Sequence, residues 1–176
     1  MAKLLLISGS LRGGSTNSAT LRTAAALAPD GVEATIYDGM GRLPHFNPDD
    51  DPTDGVGLDP EVAALRASLA EVDALLLSTP EYAGALPGSF KNLLDWTVGG
   101  GEMDGKPVGF INVAGRGRGE KAHASLEVVL GYVAADLRTG ARVPMSHTDV
   151  DDAGAIGTPE LRAAVGEAFR AFVATL

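Results

Sequence analysis

The chain has 176 residues, a formal net charge of -9 and no cysteine. This length fits one domain, residues 1–176, with a single hydrophobic core. The acidic charge argues against nucleic acid as a general partner, because the chain has no excess of cations to neutralise phosphates. The absence of cysteine excludes disulfides, thiolate catalysis and cysteine-ligated metal.

The apolar segments of the chain are short. The opening run from Leu4 to Ile7 is much shorter than the apolar region of a signal peptide. No stretch approaches the roughly 20 apolar residues of a membrane span. We therefore expect a cytoplasmic protein with no membrane insertion.

Strand and helix patterns alternate along the first half of the chain. The continuous apolar runs at 3–8 and 74–79 are typical of strands buried on both faces. Residues 32–38 alternate in the way expected of another strand. The composition of 16–28 predicts a helix, and a second helix is predicted after Asp59, whose side chain can cap it.

The second half continues this alternation after a long irregular segment. Residues 39–57 are rich in Gly, Pro and Asp and predict a hydrated surface loop. The remaining predicted elements are helices at 88–98, 120–137 and 159–174 and strands at 107–114 and 141–143. Five alternations of strand and helix predict an α/β fold, a parallel sheet with helices on both faces. Ligands of such sheets lie outside the carboxyl ends of the strands.

The loop after the first strand, GSLRGGSTN, is dense in hydrogen-bond donors. Ser10, Ser15 and Thr16 offer hydroxyls, Asn17 offers an amide, and Arg12 offers a full positive charge. The next helix begins here, so its free N–H groups and positive dipole end point the same way. The loop matches neither the phosphate-binding loop of nucleoside triphosphatases nor the dinucleotide fingerprint. We therefore predict a site for a terminal monophosphate; the alternative is a tight strand-to-helix turn with a Ser or Thr cap.

Two further loops would meet the first at the same edge of the sheet. In TPEYAGALPG, the Tyr82 ring could lie beside a planar ligand, with the N–H groups of 81–84 facing acceptors on a heterocycle. Glu81 could act as a general base, although a lone carboxylate at a turn is more often solvated. In AGRGRG, Arg116 and Arg118 could receive the pyrimidine edge of a ligand or a second phosphate. The alternatives are a tyrosine packed under its loop and a solvated basic turn.

Taken together, GSLRGGSTN and TPEYAGALPGSFKNLLDW resemble the motifs of the NADPH-dependent FMN reductase family. The resemblance covers the whole chain in element order. It implies a flavodoxin-like three-layer sandwich with a five-stranded parallel sheet, bound FMN, NADPH or NADH as electron donor, and assembly as a homodimer or homotetramer. It also implies transfer of electrons to a small-molecule acceptor such as a quinone, an azo dye, a metal oxyanion or free flavin.

The resemblance assigns roles to particular residues. The phosphate of FMN would be held by Ser10, Arg12, Ser15, Thr16 and Asn17, and the isoalloxazine would be lined by Pro80, Glu81, Tyr82, Ala83, Gly84, Gly115 and Arg116. Tyr82 and Arg118 would contact NAD(P)H. Two departures from the family pattern are Ala83, where the family usually has Asn, and the arginines at 116 and 118 within the glycine-rich loop.

The mechanism implied is a ping-pong cycle in which the flavin N5 carries the chemistry. No side-chain acid or base is needed, and the sequence has no Ser-His-Asp constellation. The acidic stretch HTDVDD is expected to be solvated and not to bind metal. One alternative is an FMN-binding electron carrier that does not oxidise nicotinamide itself, for which the charge of -9 suits a basic partner. Another is a family member that binds no flavin and acts as an interaction protein.

Overall fold

Five parallel strands form the central sheet of the computed structural model, which describes residues 1–52, 55–115, 117–151 and 153–176. The strands are β1 (Ala2–Ser8), β2 (Val32–Tyr37), β3 (Ala74–Ser78), β4 (Pro107–Asn112) and β5 (Asp136–Arg142). Their order across the sheet is β2-β1-β3-β4-β5. This is the flavodoxin-like order of doubly wound sheets, in which the chain reverses its direction of travel beside β1 and β3.

The register of the two inner strands aligns the ends at which the loops begin. β1 pairs with β3 from Leu4 opposite Ala74 to Ser8 opposite Ser78. All five residues of β3 are buried, as the continuous apolar run predicted. Because both strands finish in serine at one level, the loops that follow start side by side.

Five helices cover the sheet on both faces. They are α1 (Thr16–Ala26), α2 (Pro60–Ala70), α3 (Gly88–Asp95), α4 (Glu120–Tyr132) and α5 (Pro159–Val173). Successive strand residues point to opposite faces, so Leu4 and Leu6 pack with α1 and α5 while Leu5 and Ile7 pack with α2, α3 and α4. The predicted three-layer α/β fold is confirmed, although α1 and α3 end two or three residues before their predicted ends. None of the described helices has the length and hydropathy of a membrane span.

The boundary between α4 and β5 differs from the prediction. The predicted helix at 120–137 ends at Tyr132, and Ala134 then turns the chain with a φ of 55°. β5 begins at Asp136, whose N–H donates to the carbonyl of Lys106 at 2.9 Å. The predicted fifth strand is therefore present, but it begins at Asp136, five residues before its predicted start, and it ends at Arg142, one residue before its predicted end. Pairing with β4 places these residues in the sheet, and tertiary pairing overrides the local helical pattern.

The acidic segment at 39–57 is more closely packed than the predicted hydrated loop. Trp96, which is fully buried, donates from Nε1 to the carbonyl of Pro44 at 2.9 Å. Arg66 pairs with Asp51 across 2.9 Å, and both of these side chains are largely buried. These contacts fasten the segment to α2 and α3. Trp96 is thus a core residue and does not line the candidate site described below.

His123 is a buried histidine on α4 whose imidazole is held in one tautomer. Its Nδ1 donates to the carbonyl of Gly119, and its ring lies 4.6 Å from the ring centroid of Phe110. Nε2 is buried and has no hydrogen-bond partner among the described residues. A buried nitrogen without a partner disfavours the imidazolium form.

This burial predicts a loss of stability in mild acid. Burial lowers the pKa of His123, opposed by its hydrogen bond to Gly119 and by Glu127 and Glu81, and reinforced by Arg142. In the unfolded chain the same imidazole takes up a proton below about pH 6.5. Since the unfolded state then binds more protons, the free energy of unfolding falls as pH drops below about 6.5. Urea unfolding at pH 7.5 and 5.5 should show a smaller pH-dependent loss in His123→Phe than in the natural protein; equal losses would contradict this role.

Candidate functional site

A cavity of about 710 Å³ lies at the carboxyl ends of β1, β3 and β4. The three predicted loops converge on it. The predicted site residues that line it are Ser10, Arg12, Ser15, Thr16, Asn17, Pro80, Glu81, Tyr82, Gly115 and Arg118. Ala83 and Gly84 lie at an exposed turn beside the cavity and do not line it. Arg116 lies outside the described residues.

The side-chain oxygens of Ser10 and Ser15, in the first loop, accept hydrogen bonds from nearby backbone N–H groups. Ser15 caps α1, accepting the N–H of Ser18 at 3.4 Å, and Ser10 accepts the N–H of Arg12 at 3.3 Å. A serine hydroxyl has one hydrogen to donate as well as lone pairs that accept. Both hydroxyls therefore keep a donor hydrogen for a ligand in the cavity.

Asn17 follows the same pattern and links the loop to the sheet. The single hydroxyl hydrogen of Ser78 is shared between two acceptors, Asn17 Oδ1 at 2.9 Å and the carbonyl oxygen of Ile111 at 2.8 Å. Asn17 and Ser78 are buried. With its oxygen occupied, the Asn17 amide has its N–H groups available, so the first loop presents donors to the cavity.

The second loop forms a tight two-residue hairpin turn. Tyr82 and Ala85 exchange both backbone hydrogen bonds, each at 3.1 Å. The central residues, Ala83 and Gly84, have φ values of 51° and 75°, as a type I′ turn requires. The turn holds Tyr82 at the rim of the cavity with 52% of its surface exposed. Tyr82 is thus not packed under its loop.

Glu81 connects the second loop to the start of α4. Its Oε2 accepts the N–H of Lys121 at 3.2 Å. The residue at the N-cap of α4 is Gly119, which has no side chain to cap the helix. Glu81 therefore supplies the acceptor from another loop, and its negative charge suits the helix N-terminus. This contact gives the Glu81 carboxylate a structural role, so its position does not require that Glu81 act as a general base.

The third loop turns back on itself and is anchored to the end of β5. Arg118 donates its backbone N–H to the carbonyl of Gly115 at 3.0 Å. Arg142 donates from Nη2 to the carbonyls of Gly115 and Arg118, each at 3.1 Å. Arg118 lines the cavity, and no ion pair or hydrogen bond holds its guanidinium within the described part of the chain. This edge of the cavity thus carries an available positive charge.

Residues 2–148 match the model of the NADPH-dependent FMN reductase family. The chain belongs to this family. The match confirms the family predicted from the motifs, the oxidoreductase class, and FMN with NAD(P)H as its cofactors. Over 134 residues, the chain is 37% identical to an NAD(P)H-dependent FMN reductase of Pseudomonas aeruginosa, an alignment that covers 74% of this chain and 70% of that protein.

Two further relatives extend the comparison. A 2-hydroxy-1,4-benzoquinone reductase of Burkholderia is 36% identical over 116 residues, which cover 64% of this chain and 60% of that enzyme, less than two thirds of its length. The solved structure of FerB, a flavoenzyme NAD(P)H:(acceptor) oxidoreductase of Paracoccus denitrificans, superposes with a TM-score of 0.79 at 25% identity and covers 99% of this chain and 96% of that one. The fold of this FMN reductase family member therefore extends over essentially its whole length.

One wall of the cavity in this family member was not predicted from the sequence. Met145, Ser146 and His147, from the loop after β5, line it together with Val113 and Ala114. Ser146 and Asp149 form a capping box, in which the Ser146 N–H donates to Asp149 Oδ2 at 2.7 Å. A signal is present in the polar stretch SHTD, which begins four residues after the end of β5 at Arg142. The predicted strand at 141–143 places this carboxyl end within one residue of the observed one, but only the loops after the first, third and fourth strands are predicted from the sequence to meet at the ligand-binding edge.

Ala83, which departs from the family's usual Asn, predicts strain in the second loop. A left-handed φ costs an L-residue with a Cβ roughly 1 to 2 kcal/mol, and Gly avoids that cost. We expect Ala83→Gly to raise the free energy of unfolding by about 0.5 to 1 kcal/mol, measured by urea unfolding. Ala134→Gly is a matched control, because Ala134 has a similar φ of 55° at the end of α4, away from the cavity. Stabilisation by Ala134→Gly but not by Ala83→Gly would show that the hairpin turn is not strained.

Proposed function

We propose that this chain binds FMN in the cavity at the carboxyl ends of β1, β3 and β4 and catalyses the NAD(P)H-dependent reduction of a small-molecule acceptor. The observation that carries the proposal is the donor-rich first loop beside two available arginine side chains. Arg12 and Arg118 both line the cavity in a chain whose net charge is -9. Positive groups placed at one cavity of an acidic protein suit anionic ligands.

The first loop would hold the phosphate of FMN. The side-chain oxygens of Ser10, Ser15 and Asn17 accept hydrogen bonds from other groups of the protein, and their donor hydrogens stay available to a phosphate. Thr16 begins α1, and the N–H groups of Thr16 and Asn17 have no partner among the described residues. Anions bind well at such helix starts. Arg12 would add a charge-assisted hydrogen bond.

The second and third loops would contact the isoalloxazine. Pro80, Glu81, Tyr82 and Gly115 line the cavity from two sides, and the exposed turn formed by Ala83 and Gly84 lies beside it. Arg116 is assigned to this group from the family resemblance alone. A flavin bound here would accept two electrons from a nicotinamide and deliver them to an acceptor.

Donor and acceptor would use one opening in turn, in a ping-pong order. Tyr82 and Arg118 are both exposed at the rim, where the ring can lie against a planar nicotinamide and the guanidinium can bind a phosphate. Glu81 is engaged by the N–H of Lys121, so we assign no side-chain acid or base. We propose a quinone as one acceptor class, supported by the Burkholderia relative. Azo compounds, metal oxyanions and free flavin remain predictions from the family resemblance.

We also propose that residues 1–176 form one FMN-binding domain that assembles as a homodimer or homotetramer. Val128 and Tyr132, one turn apart on α4, are 73% and 81% exposed and support association through an apolar contact. Sedimentation velocity tests this assembly. A monomer at micromolar concentration would contradict it without bearing on the FMN site.

The function is tested by anaerobic reduction of the FMN-loaded protein. The purified protein should bind FMN and become yellow, bleach on addition of NADPH, and regain its colour on addition of benzoquinone. Slow bleaching by NADPH alone, with fast bleaching when a separate reductase is added, would indicate an electron carrier instead. A colourless protein after incubation with excess FMN would indicate an interaction protein and overturn the proposal.

A further inference from the structure

We infer that Arg142, at the end of β5, is a positioning residue for the nicotinamide donor and acts by fixing the backbone from which Arg118 reaches the cavity. This inference rests on the proposed function, because Arg118 is the residue to which we assign a phosphate of NAD(P)H. Arg142 itself does not line the cavity.

The register of the sheet places Arg142 directly beneath the third loop. Arg142 lies opposite Asn112, the last residue of β4, in the parallel pairing of β4 with β5. From there its guanidinium Nη2 donates to the carbonyls of Gly115 and Arg118, each at 3.1 Å. A guanidinium presents several donors in a rigid plane, so one side chain can hold both carbonyls at a fixed separation.

Those two carbonyls belong to the two ends of one turn. The N–H of Arg118 donates to the carbonyl of Gly115 at 3.0 Å, which closes the turn. Arg142 then binds the outside of that closed turn. Between these contacts lie only residues 116 and 117, and Gly117 has a φ of 76° that only glycine adopts at little cost. Among the described residues, the hydrogen bonds at Gly115 and the backbone of Arg118 are this turn closure and the two contacts from Arg142, so Arg142 helps to fix the position of the backbone at residue 118.

The backbone of Arg118 is held by hydrogen bonds, whereas its side chain is not. Its backbone N–H and carbonyl are both engaged, whereas its guanidinium has no ion pair or hydrogen bond among the described residues, and the residue lines the cavity. A side chain with a fixed backbone and a free guanidinium loses less conformational freedom when it binds an anion. We therefore expect Arg142 to lower the KM for NADPH through Arg118.

A simple ion pair is the competing explanation for Arg142. Its Nη1 lies 3.5 Å from Glu120 Oε1, and the two side chains are 36% and 69% exposed. An exposed pair with this separation contributes little to stability. The two carbonyl contacts are shorter, and they act on the loop that lines the cavity. Glu120→Gln removes the ion pair and leaves both carbonyl contacts, so it separates the two explanations.

Steady-state kinetics of the FMN-saturated protein, with NADPH as the varied substrate and benzoquinone as acceptor, tests the inference. Arg142→Met keeps the aliphatic stem and should raise the KM for NADPH about fivefold while changing kcat by less than about twofold. Arg142→Lys keeps the positive charge but not the planar guanidinium. Its KM for NADPH should lie between those of the natural protein and Arg142→Met. Glu120→Gln should behave as the natural protein. A rise in KM with Glu120→Gln equal to that with Arg142→Met would overturn the inference.

A double-mutant cycle shows whether Arg142 acts through Arg118. In an Arg118→Ala background, Arg142→Met should change the KM by less than about twofold, because residues that act on one interaction are not additive. Fully additive effects would overturn the inference. Arg138→Ala is the matched control, since Arg138 lies on the same strand, is similarly exposed and pairs with Asp136 at 2.6 Å, away from the loop. If the natural FMN-loaded protein does not oxidise NADPH, the proposed function fails before any variant is compared.

Discussion

Replacement of Arg12 by alanine is expected to weaken FMN binding by about 1 to 3 kcal/mol, the contribution of a charge-assisted hydrogen bond. Arg12 lines the cavity, and its guanidinium has no ion pair among the residues that the structure describes. Its backbone N–H is held by Ser10 Oγ at 3.3 Å. The neighbouring donors on Ser15, Thr16 and Asn17 are neutral, so Arg12 would supply the full charge of the phosphate site.

Riboflavin provides the decisive comparison for this variant, because it has the isoalloxazine and ribityl chain of FMN without the phosphate. Quenching of flavin fluorescence gives both dissociation constants. Arg12→Ala should weaken binding of FMN and leave binding of riboflavin unchanged, and Arg12→Lys should recover part of the FMN affinity. Equal losses for both ligands would place Arg12 away from the phosphate, and unchanged FMN affinity would remove it from the site.

The first loop of the cavity and the inner strands are predictable from sequence because their signals are local. A strand buried on both faces needs a continuous apolar run, which β1 and β3 both have. The donors of the first loop follow β1 within ten residues, so their convergence needs no knowledge of distant contacts. Once the alternation of strands and helices predicts a parallel sheet, the loops after β1, β3 and β4 must share an edge.

The parts that could not be predicted depend on pairing between distant residues. β5 is an edge strand with alternating burial, and its first residues continue the helical pattern of α4, so only pairing with β4 defines it. The wall formed by Met145, Ser146 and His147 follows this edge strand, and no local signal indicates that its loop reaches the cavity. Likewise, the Glu81 contact joins residues 40 positions apart, and those of Arg142 span 24 and 27 positions. A local pattern carries no information on such contacts.

Gly9→Ala is expected to lower the free energy of unfolding by about 1 to 3 kcal/mol, the cost of overpacking a filled core, and to weaken FMN binding with it. Gly9 is the first residue after β1, and its N–H donates to the carbonyl of Ser78 at 2.9 Å. A Cβ at this position would lie 2.2 Å from Thr79 Oγ1 and 2.9 Å from Phe90 Cδ1. Phe90 is fully buried, and the added Cβ would also lie 2.7 Å from Thr79 Cβ, so rotation of the Thr79 side chain alone does not relieve the clash.

The clash lies between the first and second loops of the cavity, which makes the variant a test of their coupling. A backbone shift that relieved this clash would separate Gly9 from Thr79 and would therefore displace Ser10 relative to Pro80. Gly13→Ala is the matched control, because a Cβ at Gly13 meets nothing within 4 Å and the residue has no left-handed φ. Urea unfolding and FMN titration should both change for Gly9→Ala, whereas Gly13→Ala should leave the free energy of unfolding as it is. Normal stability and normal FMN affinity in Gly9→Ala would show that the two loops are not in the tight contact on which the shape of the cavity depends.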